Sequence, residues 1–115
     1  MNYVWVFLGG GLGSALRFGI SKMVQPFGWT FPWATFSANL IACLVLVFVA
    51  MLFKGKTNEA MYLFLATGFC GGLSTFSTFS LESVQLMQQG QWNLAVLNVF
   101  MSVLAGIFAV WLLWK

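Results

Sequence analysis

The chain has 115 residues and a net charge of +3; 61% of its residues are hydrophobic and 6% are charged, against roughly a quarter charged in soluble domains. That composition excludes a water-soluble globule and makes an all-α, multi-pass membrane protein the expectation. With no histidine, two acids in separate segments and two cysteines inside apolar runs, side-chain metal clusters and triad hydrolysis lack their parts, and the scattered Lys and Arg residues form no nucleic-acid face.

Charge falls only at Arg17, Lys22, Lys54, Lys56, Glu59, Glu82 and Lys115, leaving uncharged runs at 1–16, 23–53, 60–81 and 83–114. About 20 apolar residues make one helical crossing. The runs therefore predict four transmembrane helices over about 4–23, 33–53, 60–85 and 92–114, forming a single domain over 1–115. The connections carry Gln25-Pro26-Phe27-Gly28, the polar loop 54–59 and Gln88-Gln89-Gly90-Gln91. All are short, so neighbouring helices run antiparallel. No basic flank or small-residue cleavage site marks a signal peptide at the N-terminus, which reads as the first crossing.

The first span carries Gly9-Gly10-Gly11-Leu12-Gly13, whose small-xxx-small spacing lets backbones approach closely. Arg17 follows Gly13 by one helical turn; it either snorkels to headgroups or attracts anions to a wet vestibule. An always-protonated guanidinium cannot cycle protons, which favours passive attraction over pumping. In the second span, Thr35, Ser37 and Asn39 precede an apolar run. The Asn39 amide must face protein or water, either as an interhelical bond or as a donor to a passing anion.

The third span holds Gly71-Gly72-Leu73-Ser74-Thr75-Phe76-Ser77-Thr78-Phe79-Ser80. Glycines weaken a helix by roughly 1 kcal/mol each relative to Ala, and hydroxyls offer alternative partners to the backbone. A break near 71–75 is expected, and carbonyls released there can coordinate a small cation. Beyond it, Phe76 and Phe79 share a face at three-residue spacing. They are either core packing or rings whose electropositive edges attract an anion, with Ser77 and Thr78 supplying hydroxyl donors. Glu82 is the one acid within a span and a functional candidate by default; a structural role at the membrane surface is the alternative. The fourth span places Asn98 and Ser102 on one face, either extending this polar stripe or bonding a neighbouring helix.

Orientation signals are nearly balanced: Lys54, Lys56 and Lys115 fall on the side of the N-terminus, and Arg17 and Lys22 toward the other. Such a weak bias under the positive-inside rule lets the chain insert both ways. Four helices leave little room for a path within one subunit, so two oppositely inserted copies are expected to pair as an antiparallel, dual-topology homodimer.

These residues together resemble the Fluc family of fluoride channels, also called CrcB-type proteins. The resemblance covers essentially the whole length. It rests on Gly10-Gly11-Leu12-Gly13-Ser14-Ala15-Leu16-Arg17, Thr35-Phe36-Ser37-Ala38-Asn39, the string from Gly68 to Ser80 with Glu82, and Ser102. It implies an antiparallel homodimer in a bacterial-type inner membrane, with two pores and passive export of fluoride that confers resistance. It further implies that Asn39, Phe76, Phe79, Ser77, Thr78 and Ser102 line the pore and that Arg17 lies at the vestibule. The carbonyls of Gly71 and Ser74 would hold a structural sodium ion at the dimer interface. Where many members carry a tyrosine, this chain has Asn98, so the fourth-span half of the polar track is open. Two competitors remain. A small multidrug-resistance transporter needs a carboxylate in the first span, which is absent here; a noncatalytic helical scaffold would not require the third-span pattern.

Overall fold

The structure is a computed structural model that describes residues 2–55 and 58–114. Lys56 and Lys115, which enter the orientation count, and Thr57 of the polar loop lie outside the described residues. Among the described residues every element is helical, and four passages are long and apolar enough to cross a membrane: Asn2–Phe27, Trp33–Leu52, Glu59–Gln88 and Trp92–Leu113.

The first passage is α1 (Asn2–Val24) extended by a 3-10 turn over Gln25–Phe27. Pro26 suits the start of that turn because its missing N–H is not needed there. Gly28 ends it with φ 62°, a conformation that glycine adopts without steric cost. α2 spans Trp33–Leu52. The third passage opens with α3 (Glu59–Tyr62), where the Asn58 side chain accepts from the Met61 N–H at 3.2 Å. Glu59 in the first turn complements the helix dipole, so this passage starts at the charge instead of after it. It continues as a π-helical segment, Leu63–Cys70, and the short α4, Gly71–Leu73. Ser74 and Thr75 are extended, and α5 (Phe76–Gln88) follows. α6 covers Trp92–Leu113.

The seam between α1 and the third passage is made of backbone. A methyl group at Gly9 would collide with the Phe64 carbonyl, one at Gly13 with the Phe69 carbonyl, and one at Gly72 with the Gly10 carbonyl. Beside this seam, Ala38, Ala42 and Leu73 form a small buried core against which Ile20 and Phe69 pack. Most large apolar side chains, including Phe7, Phe48, Ile107 and Phe108, point outward, as expected where the solvent is lipid.

Gly13→Ala is therefore expected to destabilise the protein by at least about 1–3 kcal/mol through overpacking. Gly11→Ala, at a position where an added methyl meets nothing within 4 Å, should be neutral or slightly stabilising because Ala is the better helix former. Thermal unfolding of the two purified variants compares them directly; equal midpoints would refute the seam.

Candidate functional site

In an uninterrupted α-helix the N–H of Thr75 would reach the carbonyl of Gly71, and that of Thr78 the carbonyl of Ser74. Side chains take both donors here. Thr75 N–H donates to Asn39 Oδ1 at 2.8 Å, and Thr78 N–H donates to Thr75 Oγ1 at 3.2 Å. The second bond is an N-cap, with Thr75 extended at φ −153° and ψ 119° ahead of α5. The carbonyls of Gly71 and Ser74 thus both lose their helical partners.

Other groups at the break are held from both sides. Asn39 Nδ2 donates to the Thr75 carbonyl at 3.4 Å, so one amide grips both polar groups of one extended residue. The Gly72 carbonyl accepts from Arg17 Nε at 3.1 Å and, more loosely, from Ser14 Oγ at 3.5 Å. Ser74 turns inward, its N–H and hydroxyl both donating to the Cys70 carbonyl at 3.0 and 2.9 Å.

Beside the break lies a groove of about 270 Å³ lined by Asn39, Cys43, Ser74, Thr75, Phe76, Phe79, Ser102 and Val103. The Phe76 and Phe79 rings sit 5.9 Å apart between centroids at 41°. Phe76 is 79% exposed and Phe79 is half-buried. The groove gathers Asn39, Phe76, Phe79 and Ser102 from three passages that are distant in sequence. One N–H of the Asn39 amide is used on Thr75, which leaves its second N–H as a donor.

The remaining candidates stand elsewhere. Ser77 is exposed, with its hydroxyl 3.3 Å from Thr75 Oγ1. Thr78 contributes its backbone to the cap, and neither residue lines the groove. Arg17 sits on the Gly72 carbonyl at the end of the upstream half-helix, where a cation complements the dipole. Asn98 is 1% exposed and stands behind the groove wall, bonded to Ser83 and Ser102. Glu82 belongs to a different region: it lines cavities of about 460 and 170 Å³ with Trp29 and Pro32, the larger also bordered by Lys22. Thr35 lies beside its carboxylate, and Oε1 has no hydrogen-bond partner among the described residues.

Sequence reading missed Thr75 as the hub of the break, although a hydroxyl residue directly before a helical run is an N-cap signal. It also missed Cys43, whose apolar surroundings give no hint of a groove. Among the described residues no cluster of three His, Cys, Asp or Glu side chains could hold a metal. A cation at this break would therefore rest on carbonyl oxygens. The chemistry on offer is an amide donor and two aromatic edges for an anion, beside two freed carbonyls for a cation.

Comparison with known proteins gives a consistent result. Residues 4–114 match the family model described as "CrcB-like protein, Camphor Resistance (CrcB)". A protein of Magnetococcus marinus named "Fluoride-specific ion channel FluC" is 40% identical over 97% of this chain and 94% of its own length. Proteins of the same name from Pyrococcus furiosus and from Escherichia coli O139:H28 are 44% and 43% identical, covering 93% and 91% of this chain and 88% and 84% of their own.

Proposed function

The chain belongs to the CrcB-like family, a family of ion channels and not of enzymes, and from that premise we infer that it conducts fluoride across a membrane. The observation that carries this reading is the groove in which Asn39, Phe76, Phe79 and Ser102 converge beside the break. A fluoride ion entering it exchanges water for the second Asn39 N–H and the electropositive edges of the two rings. Closely spaced donors replace the hydration of a small anion better than that of a large one, which favours fluoride over chloride. Conduction down the gradient needs no coupled proton, so the channel would export cytoplasmic fluoride passively and confer resistance to it.

A sodium ion fits the break. The carbonyls of Gly71 and Ser74, each deprived of its helical donor, would hold it together with the same pair from a second copy. When bound, it supplies a fixed positive charge that steadies the interrupted backbone. Asn39 and Thr75 maintain those carbonyls by keeping the competing N–H groups away. Gly71 is exposed, which leaves this face open to an oppositely inserted partner. An antiparallel, dual-topology homodimer in a bacterial-type inner membrane would then carry two pores, one per groove. Arg17, poised on the Gly72 carbonyl, would add a positive field near the ion path. Ser77 and Thr78, close to Phe76 in sequence, would supply hydroxyls as the ion leaves the groove.

Liposomes loaded with fluoride and reconstituted with the protein test the reading through a fluoride-selective electrode. Efflux well above that of protein-free liposomes is expected, with chloride efflux slower by at least about 100-fold, a discrimination near 3 kcal/mol. Equal rates for the two ions, or no fluoride efflux, would sink it.

A further inference from the structure

Asn98, Ser83, Ser102 and the Phe79 carbonyl form one chain of hydrogen bonds between α5 and α6. Ser83 Oγ donates to the Phe79 carbonyl at 2.9 Å, Asn98 Nδ2 donates to Ser83 Oγ at 2.9 Å, and Ser102 Oγ donates to Asn98 Oδ1 at 3.3 Å. The direction of the whole chain follows from its last member. A carbonyl can only accept, so Ser83 commits its single proton to Phe79 and must receive from Asn98. The amide therefore turns its NH2 toward Ser83 and its oxygen toward Ser102. An amide oxygen can only accept in turn, so Ser102 must commit its single proton to Asn98.

Ser102 lines the groove with that proton directed away from it. We propose that Asn98 is a positioning residue that turns the Ser102 hydroxyl into an acceptor, so that Ser102 faces the groove with lone pairs and is not a fluoride donor. The proposal rests on the fluoride reading and goes beyond it: the anion wall is reduced to Asn39 and the two rings. Asn98 is almost fully buried, so the order of the relay is shielded from water that could reverse it. A side chain at 98 with no acceptor would release the proton and let Ser102 point it into the groove.

Fluoride efflux from liposomes is the readout, for the parent chain, Ser102→Ala, Asn98→Leu and the double variant, each first checked for the parent's elution profile. Ser102→Ala should lower efflux by a factor about tenfold larger in the Asn98→Leu background than in the parent, because only without the Asn98 acceptor does the hydroxyl turn its proton to the ion, and tenfold is the effect of one hydrogen bond to a charged group. Loss of a purely structural bond would not create that dependence. A tenfold or greater drop for Ser102→Ala alone, or the same factor with and without Asn98, overturns the proposal while fluoride conduction by the parent stands. Should the Asn98→Leu variant not elute like the parent, Asn98→Val takes its place, and Ser102→Ala alone still decides against a donor role. A parent chain that passes no fluoride marks failure of the fluoride reading instead.

Discussion

Replacing Asn39 by alanine is expected to lower fluoride efflux by about 100-fold, because in the proposed channel one amide both holds the break open and faces the ion. It accepts from the Thr75 N–H and donates to the Thr75 carbonyl. Without it, the half-buried Thr75 N–H loses its acceptor; an unmet donor costs about 1–3 kcal/mol, and its nearest remedy is the Gly71 carbonyl one turn back. The break then closes by one bond and withdraws the Gly71 carbonyl from the proposed sodium site. Loss of the donor facing the groove adds a further penalty, and about 2.7 kcal/mol in all corresponds to the 100-fold. Asn39→Asp separates the two jobs. It keeps the acceptor for Thr75 but places a carboxylate in an anion path, so efflux should fall although the break persists. An Asp variant that conducts like the parent would confine Asn39 to backbone support, and an Ala variant that does so would remove it from the mechanism.

Phe76→Ile is expected to reduce fluoride efflux by about tenfold or more, since an aliphatic side chain has no electropositive edge to offer an anion. Phe76 is 79% exposed, and its ring is tilted 41° to that of Phe79 with centroids 5.9 Å apart. Exposed substitutions usually stay within about 0.5 kcal/mol, so thermal stability and elution profile should match the parent. The contrast between intact folding and impaired flux identifies a groove-facing role. Unchanged efflux would return Phe76 to the lipid-facing or partner-facing surface.

The four passages were legible because charge is so sparse that its positions alone delimit runs of crossing length. Their ends were less so. The third passage reaches from Glu59 to Gln88 instead of about 60–85, since a charged or amide side chain at the first or last turn meets water and does not stop a helix. Chemistry at the break was legible as composition: glycines and hydroxyls in an apolar chain must find partners. The identity of those partners was not, because Asn39 and Thr75 lie 36 positions apart and no local rule pairs them. The π-helical segment was also hidden. Its buried residues, Ala66, Gly68 and Cys70, recur at every second position, a pattern that 3.6-residue periodicity does not anticipate for a helix wedged between α1 and α2. Asn98 and Ser102 were placed on one face by their spacing, which held no information about which of them donates.

The backbone seam between α1 and the third passage has a consequence for how this sequence can change over time. At Gly9, Gly13 and Gly72 any side chain collides with a carbonyl, so drift there is blocked by volume whatever the polarity of the newcomer. Outward-facing residues such as Phe100, Leu104, Ile107 and Phe108 are suited to acyl chains, which scarcely distinguish one large apolar group from another. Descendants of this chain can therefore exchange much of their lipid-facing surface while the few small and polar positions that set backbone distance and hydrogen-bond direction stay fixed.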